Sequence, residues 1–448
     1  MRLLSLRSCL VWLLASLYLP SALAISEKDV NTFTLKNDMK FLVMEDESIP
    51  NATLYIFWKV GSRNEAPGTT GIAHFFEHMM FNGAKKYGPK MFDKVMEANG
   101  GSNNAYTSEN ITAYMEWFPA DKLEVMFDLE ADRIANLGIV PEIVESERGV
   151  VTSERQTGLE NSNYRTIAEE VKNAAFRAHP YSWPVIGHAS DIANWSLKDL
   201  TDFHKTYYAP NNAVAVVVGA VKTDEVKALA KQYFEPIPKQ TPPRAIHTVE
   251  PEQTGERRVY VKKDSTTSPN ILMGYHVPAD SHEDRYALDL LSDILSSGNR
   301  SRLKDALVFD QKVASTIFSY MPNSFDPNLF YVYAIASQAT DAKTLENALL
   351  KEIYRIQKEG VSDEELQRVK NQKEVDFYRN IATISERANL LGTYELFHGD
   401  YKKLFTAPKA YAKVTAEDIQ RVAKMYLTKK NRTVGILDNK EDEDDIQL

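Results

Sequence analysis

The chain has 448 residues, 26% of them charged and 43% hydrophobic, with 53 basic residues against 62 acidic ones and a formal net charge of −9. That length implies two domains or more, and the acidic balance argues against nucleic acid as a partner. A single cysteine, Cys9, excludes a fold held by disulfides.

At the start of the chain, Arg2 and Arg7 precede an apolar run from Leu10 to Leu19, and Ala22-Leu23-Ala24 forms a small-x-small cleavage site before Ile25. This is the layout of a secretory signal peptide spanning residues 1–24. The run is short for a membrane span, and no later segment approaches the ~20 apolar residues that one requires. The mature chain is therefore expected to be exported, without a transmembrane segment and, because Cys9 leaves with the leader, without a thiol. Loss of Arg2 and Arg7 leaves 51 basic residues against 62 acidic, a net charge near −11. Of the Asn-x-Ser/Thr sequons at Asn51, Asn110 and Asn194, the second falls in what reads as a working strand, where a glycan would block pairing. This favours a bacterial periplasm, with the extracellular space as the alternative, over a eukaryotic secretory route.

A strand is expected over Ala52 to Val60, followed by Gly71-Ile72-Ala73-His74-Phe75-Phe76-Glu77-His78-Met79-Met80. On a helix that advances ~100° per residue, His74, Glu77 and His78 point the same way. Imidazole is the commonest zinc ligand, catalytic zinc keeps one open position for water, and a neighbouring carboxylate can take that water's proton. His-x-x-Glu-His is the inverted zinc-protease motif. With nine histidines in 448 residues, a chance match has a probability of about one per cent. The apolar residues around it also fit a buried core helix, whose three polar groups would then need partners that a metal supplies most simply.

Gly100-Gly101-Ser102-Asn103-Asn104-Ala105-Tyr106-Thr107 leads into the β-rich run Ile111 to Phe118. If its start is a sheet edge beside the metal, an extended peptide could add to it as another strand; a plain hairpin is the alternative. The run Pro141 to Arg155 begins with proline at a helix N1 position. Two imidazoles are too few for a catalytic zinc, and the third ligand is sought on this helix among Glu145, Glu147 and Glu154. Glu147 and Glu154 are two turns apart and share a face, so one can bind the metal while the other bonds a histidine or the water. Spacing alone does not choose among the three.

A proline-rich stretch, residues 236–255, separates a first domain (25–235) from a second (256–440), with an acidic tail at 441–448. The two sides resemble each other. Ser196-Leu-Lys-Asp199-Leu200-x-x-Phe203 with Tyr207 and Asn212 recurs as Thr415-Ala-Glu-Asp418-Ile419-x-x-Val422 with Tyr426 and Asn431, at a constant offset of 219 residues. Each copy reads as a capped helix followed by a strand, Ala213 to Val218 and Thr433 to Leu437. Each half also opens with a strand, Ala52 to Val60 and Asn270 to Val277, followed by a helix, which gives an α+β pattern twice over. In the second copy the helix reads Leu288-Asp289-Leu290-Leu291-Ser292-Asp293, without histidine, so only the first half is expected to hold a metal.

These residues resemble those of the M16 metallopeptidases (pitrilysin, insulin-degrading enzyme and mitochondrial processing peptidase), most closely the short bacterial members, over nearly the whole mature chain. The resemblance implies two homologous α/β-roll domains, each a mainly antiparallel sheet packed with helices. It implies one Zn2+ per chain held by His74, His78 and Glu154, which lies 76 positions after His78. Glu77 is then the general base, with Glu147 as the acidic companion on the ligand helix. Asn104, Ala105, Tyr106 and Thr107 match the substrate-pairing edge strand, and His179-Pro180-Tyr181 with Gly187, and Ser301-Arg302-Leu303, are also typical. One departure stands out. Where complete sites of the family carry an arginine and, seven residues on, a tyrosine that bind the substrate carbonyl, this chain has Val308 and Ser315, and such donors can be worth ~10²-fold or more in rate. The expectation is a zinc endopeptidase acting on peptides or unfolded polypeptides as the catalytic subunit of a heterodimer with a related M16 chain that lacks the zinc motif, a homodimer being the alternative. Other readings are a dedicated precursor-processing protease and a non-catalytic structural or peptide-binding subunit.

Overall fold

The computed structural model describes residues 25–440; the expected signal peptide and acidic tail lie outside the described residues. Two sheets organise the chain. The first contains β1 (Val30–Thr34), β2 (Lys40–Glu45), β3 (Asn51–Trp58), β4 (Ser102–Thr107), β5 (Thr112–Pro119) and β6 (Ala213–Gly219), in the order β1-β2-β6-β3-β5-β4. The second contains β7 (Arg257–Lys262), β8 (Asn270–Val277), β9 (Ala314–Tyr320), β10 (Asn328–Ala336) and β11 (Arg432–Asp438), in the order β7-β11-β8-β10-β9.

The sheets repeat one plan. In each, one parallel pair (β2 with β6, β7 with β11) is followed by three antiparallel pairings. The offset of 219 residues read from the sequence carries β3 onto β8 and β6 onto β11 at their first residues. It also carries the helix Leu197–Tyr207 onto Ala416–Tyr426, and both helices start with a capping box, Ser196 with Asp199 and Thr415 with Asp418. Asn212 and Asn431 then close the helix ends by donating to Tyr207 O and Tyr426 O, each at 2.8 Å. Strands precede those with which each half was expected to open: β1, β2 and β7 come first. Asn110 is also not in a strand. It sits in the connection between β4 and β5, fully buried, accepting from Tyr181 Oη at 2.6 Å and donating to Asn323 O at 3.1 Å. Burial in a turn, rather than strand pairing, is what would exclude a glycan there.

Each sheet is buried on both faces, which explains the unbroken apolar run of β6. On one face lie helices of the same half. On the other lies a helix from the opposite half. Asn163–Ala175 crosses to the second sheet, where Ile167, Val171 and Ala175 pack with Leu272, Leu329 and Leu437. Ile384–Phe397 crosses to the first, where Ala388, Leu391 and Phe397 pack with Leu42, Phe57 and Val216. The approach is close enough that a Cβ on Gly392 would stand 2.1 Å from the Phe57 ring. A polar contact between the halves adds to this. Asp326, in the turn between β9 and β10, forms an ion pair with Arg63 Nη2 at 2.7 Å and faces His179 Nε2 at 3.3 Å, and its main-chain N–H reaches Tyr181 Oη at 3.4 Å. His179 and Tyr181 of the His-Pro-Tyr segment thus join the two halves.

In Ser301-Arg302-Leu303, Leu303 is buried and Arg302 grips Glu365 through two bonds of 2.7 Å. Burial pushes the Glu365 carboxyl up, but Arg302 and the Ser362 main chain more than offset it and bring it to about 2 from 4.5. A carboxylate depressed in the fold contributes stability that is complete above its free value and is lost as pH falls through its folded one. Arg302→Met should therefore lower stability at pH 7 by about 2 kcal/mol. Thermal melting should show the gap to wild type closing between pH 4.5 and pH 2.

Candidate metal centre

The helix Ile72–Met79 is fixed by its apolar face. Phe75 packs on Trp195 with ring centroids 5.0 Å apart, Phe76 stacks on Phe203, and Tyr114 Oη donates to Phe76 O at 3.1 Å. Its start is fixed by a residue outside the motif. Gly71 has φ of 90° and no side chain to cap the helix, and Glu65, 7% exposed, does this instead: its two carboxylate oxygens accept Gly71 N and Ala73 N, each at 2.8 Å. Burial raises the Glu65 carboxyl well above the usual range, opposed by those two N–H groups.

The second helix, Pro141–Asn161, begins with Pro141 at the N1 position and carries Glu147 and Glu154 on one face. A short segment ties it to the first. Gly187, at φ of 85°, packs back to back with Gly71, so that a Cβ on either would stand 2.4 Å from the other strand's carbonyl oxygen. Asp191 accepts Gly68 N, Thr70 N and Thr70 Oγ1, and Trp195 Nε1 donates to Thr70 O. At the far end of this segment Arg148, on the second helix, donates to Ile192 O and to Trp195 O. Residues 186–195 thus grip both helices and set their relative height.

At the crossing, His74 Nε2 and His78 Nε2 lie 3.6 and 3.5 Å from Glu154 Oε2, and the three donor atoms are all within 4.8 Å of one another. Bonds of roughly 2.0–2.1 Å to a tetrahedral zinc put its donors about 3.4 Å apart, close to the 3.6 and 3.5 Å that separate the two imidazoles from Glu154 Oε2. Glu147 does not join the set. Its Oε1 meets His78 Nδ1 at 2.9 Å while its Oε2 accepts Asn82 Nδ2 at 2.8 Å, and Asn82 also donates to His78 O. This contact turns the ring so that Nε2 faces Glu154. Glu145, the third candidate, is exposed and pairs with Arg148.

The charges follow the geometry. Burial and the neighbouring His78 bring His74 down to about 4, whereas His78, despite burial, is raised to about 9 by its bonds to Glu147 and Glu154. Both glutamates are lowered, first of all by the His78 bond. Glu77 is raised by burial, against the pull of Thr107, and its Oε2 is buried without a partner. Thr107 ends β4, which pairs with β5 along one edge, Asn104 opposite Met115, Ala105 opposite Tyr114 and Tyr106 opposite Ala113. Among the described residues no strand pairs with the other edge. An open edge therefore runs toward Glu77.

The second half has a counterpart of different chemistry. Asp289 and Asp293, spaced as His74 and His78 are, both hold Lys373 Nζ, at 2.9 and 3.0 Å, and Lys373 lies 219 residues after Glu154. A tethered ammonium stands where the first half offers room for a free cation. Val308 is partly buried on a π-helix, Lys304–Asp310, and the Ser315 hydroxyl bonds back to Ile335 O and Ala336 O, so neither offers a donor to a bound carbonyl.

Two crossing helices that present paired imidazoles and a carboxylate beside an open strand edge have the layout of an inverted-motif metallopeptidase. Residues 40–189 match the family described as insulinase (peptidase family M16), and residues 194–373 match the family described as peptidase M16 inactive domain. A protein named zinc protease PqqE from Helicobacter pylori is 34% identical over 97% of this chain and 98% of its own length. A probable mitochondrial-processing peptidase subunit beta from Arabidopsis thaliana is 25% identical, over 92% of this chain and 79% of that one. Among solved structures, a protease from Helicobacter pylori superposes with a TM-score of 0.88 at 32% identity, covering 91% of this chain and 99% of that one. The periplasmic protease PqqL from Escherichia coli shares the fold with a TM-score of 0.76 at 19% identity, this chain covering 48% of that protein. The chain belongs to the M16 peptidase family.

Glu65, Asn82, Arg148 and Asp191 had no motif to announce them. Replacing Glu65 by alanine strands two buried N–H groups, at a cost of about 1–3 kcal/mol. Glu65→Ala should therefore lower the melting temperature, and equilibrium competition with a zinc chelator should show weakened metal retention.

Proposed function

We propose that the chain is a zinc-dependent endopeptidase acting on peptides or unfolded polypeptides, with one Zn2+ held by His74, His78 and Glu154. The reading rests on one observation, the convergence of both Nε2 atoms and the Glu154 carboxylate within 4.8 Å across two helices. Lys373 between Asp289 and Asp293 supports a count of one ion per chain. When bound, zinc supplies a Lewis acid that acidifies water and polarises a carbonyl. The protein's own part is positioning and proton transfer. Glu147 orients His78 through Nδ1. Glu77, whose Oε2 is buried and unpartnered, takes the proton of the attacking water and passes it to the leaving amine. The open edge of β4, at Asn104, Ala105, Tyr106 and Thr107, takes the substrate as an added strand, with main-chain hydrogen bonds that ask little of its sequence.

Val308 and Ser315 leave the substrate carbonyl without the arginine and tyrosine of a complete site. The catalytic subunit is therefore expected to borrow them from a related chain lacking the zinc motif, a homodimer being the alternative arrangement. A leader over residues 1–24, read from the sequence, would carry the protein to a periplasm or the extracellular space, and no helix among the described residues is long and apolar enough to cross a membrane. A processing role on one precursor is the second reading, favoured by the likeness to a protein named as a mitochondrial-processing peptidase subunit.

Glu77→Gln should retain stoichiometric zinc and lose turnover of an unstructured peptide by about 10³-fold, whereas His74→Ala and Glu154→Ala should lose the metal. Metal analysis together with peptide cleavage, with and without chelator, checks both. Full zinc content in the last two variants would refute the ligand set, and binding without cleavage by the zinc-loaded wild type would indicate a non-catalytic subunit. Adding the related chain should raise the rate at least tenfold; a purified single chain already at full rate would refute the heterodimer.

A further inference from the structure

Arg165 stands in the first turn of the helix Asn163–Ala175, 11 residues after Glu154. Its guanidinium lies against the glutamate helix one turn beyond Glu154, where a Cβ on Gly158 would be 2.6 Å from Nη1. The bare glycine is what lets the group settle there. The side chain is exposed, and among the described residues its guanidinium has neither an ion pair nor a hydrogen bond. Its natural helical partner is taken: Glu169, four residues on, is held by Arg155 through bonds of 3.0 and 2.7 Å, and the nearby Glu160 accepts from Gln156. An uncommitted guanidinium thus stands on the face of the glutamate helix that carries Glu154, four residues away at Gly158.

A cation beside a site for a metal ion weakens that site by repulsion, and the repulsion is relieved when an anion comes between them. We propose that Arg165 anchors a carboxylate of the substrate, so that the site prefers peptides with an acidic side chain, or a free chain end, close to the scissile bond. The proposal rests on the peptidase reading and names its substrate class. A guanidinium offers a planar fork that pairs with a carboxylate through two parallel hydrogen bonds. A peptide added to β4 points successive side chains to opposite faces, so the preference is confined to one register position, and a carboxylate one residue away turns from Arg165.

The test uses the full zinc-loaded chain and fluorescence-quenched unstructured peptides in which a single glutamate, or glutamine in its place, is moved along the sequence, each with a free or an amidated C-terminus. Wild type should show kcat/KM about tenfold to hundredfold higher for the carboxylate at one position. Arg165→Gln should erase that difference while leaving zinc content and cleavage of the neutral peptides within about twofold, and Arg165→Lys should restore part of it. The glutamine and amide arms identify a side chain or a chain end as the source of the carboxylate. Equal slowing of acidic and neutral peptides, or no slowing of either, overturns the proposal. Peptide affinity of Glu77→Gln, with and without Arg165→Gln, separates the two readings. If wild type cleaves nothing but the acidic peptide binds tighter only with Arg165 present, the anchor stands and the peptidase reading falls.

Discussion

The first half is arranged around one meeting of atoms: a carboxylate oxygen on one helix within 3.6 Å of two imidazole nitrogens on another. A donor set of this kind tolerates displacements of only a few tenths of an ångström, while the helices that carry it are separated by a long stretch of chain. The apolar face of the histidine helix fixes its rotation, Glu65 fixes its start, and residues 186–195 fix its height against the glutamate helix through Gly187 at one end and the Arg148 contacts at the other. The donor set occupies a handful of side chains, but most of its precision is supplied by residues that lie outside it.

The duplicated plan shows what happens to the same geometry without that chemistry. Asp289, Asp293 and Lys373 preserve the spacing of two groups on one helix facing one on another, and the charges now balance internally. A paired ammonium needs no exchangeable ligand and leaves no open coordination position, so the second half keeps its helices together by an ion pair where the first has donors that could hold a metal ion. Tyr411, donating to Asp289 at 2.6 Å, closes the cluster further.

Much of this was legible in the sequence, for identifiable reasons. The four-residue interval of His74 and His78 and the constant offset of 219 are local or arithmetical signals. The three glutamates of the ligand helix were not separable by periodicity, because a helical repeat says which residues share a face and not what that face meets. The family resemblance singled out Glu154 and its companion Glu147 where periodicity could not, and the fold sets Glu145 against Arg148, Glu147 against His78 Nδ1 and Glu154 at the crossing. Glu65, Asn82 and Asp191 act on main-chain or side-chain groups through contacts without a fixed spacing, so no pattern marked them. The strands β1, β2 and β7 are short and bordered by charged residues, and the sequence did not distinguish them from loop. Which sheet the helices Asn163–Ala175 and Ile384–Phe397 would cover was equally hidden, since an amphipathic stripe does not name its partner.

That reciprocal covering has a consequence for the chain as an object. A break in the proline-rich coil between the halves would leave two fragments still clasped, because each sheet relies on a helix that the other fragment brings. Either fragment alone would bare a face of Phe57 and Val216, or of Leu272 and Tyr331, and such a surface invites aggregation. Neither half can be cut out as a minimal enzyme.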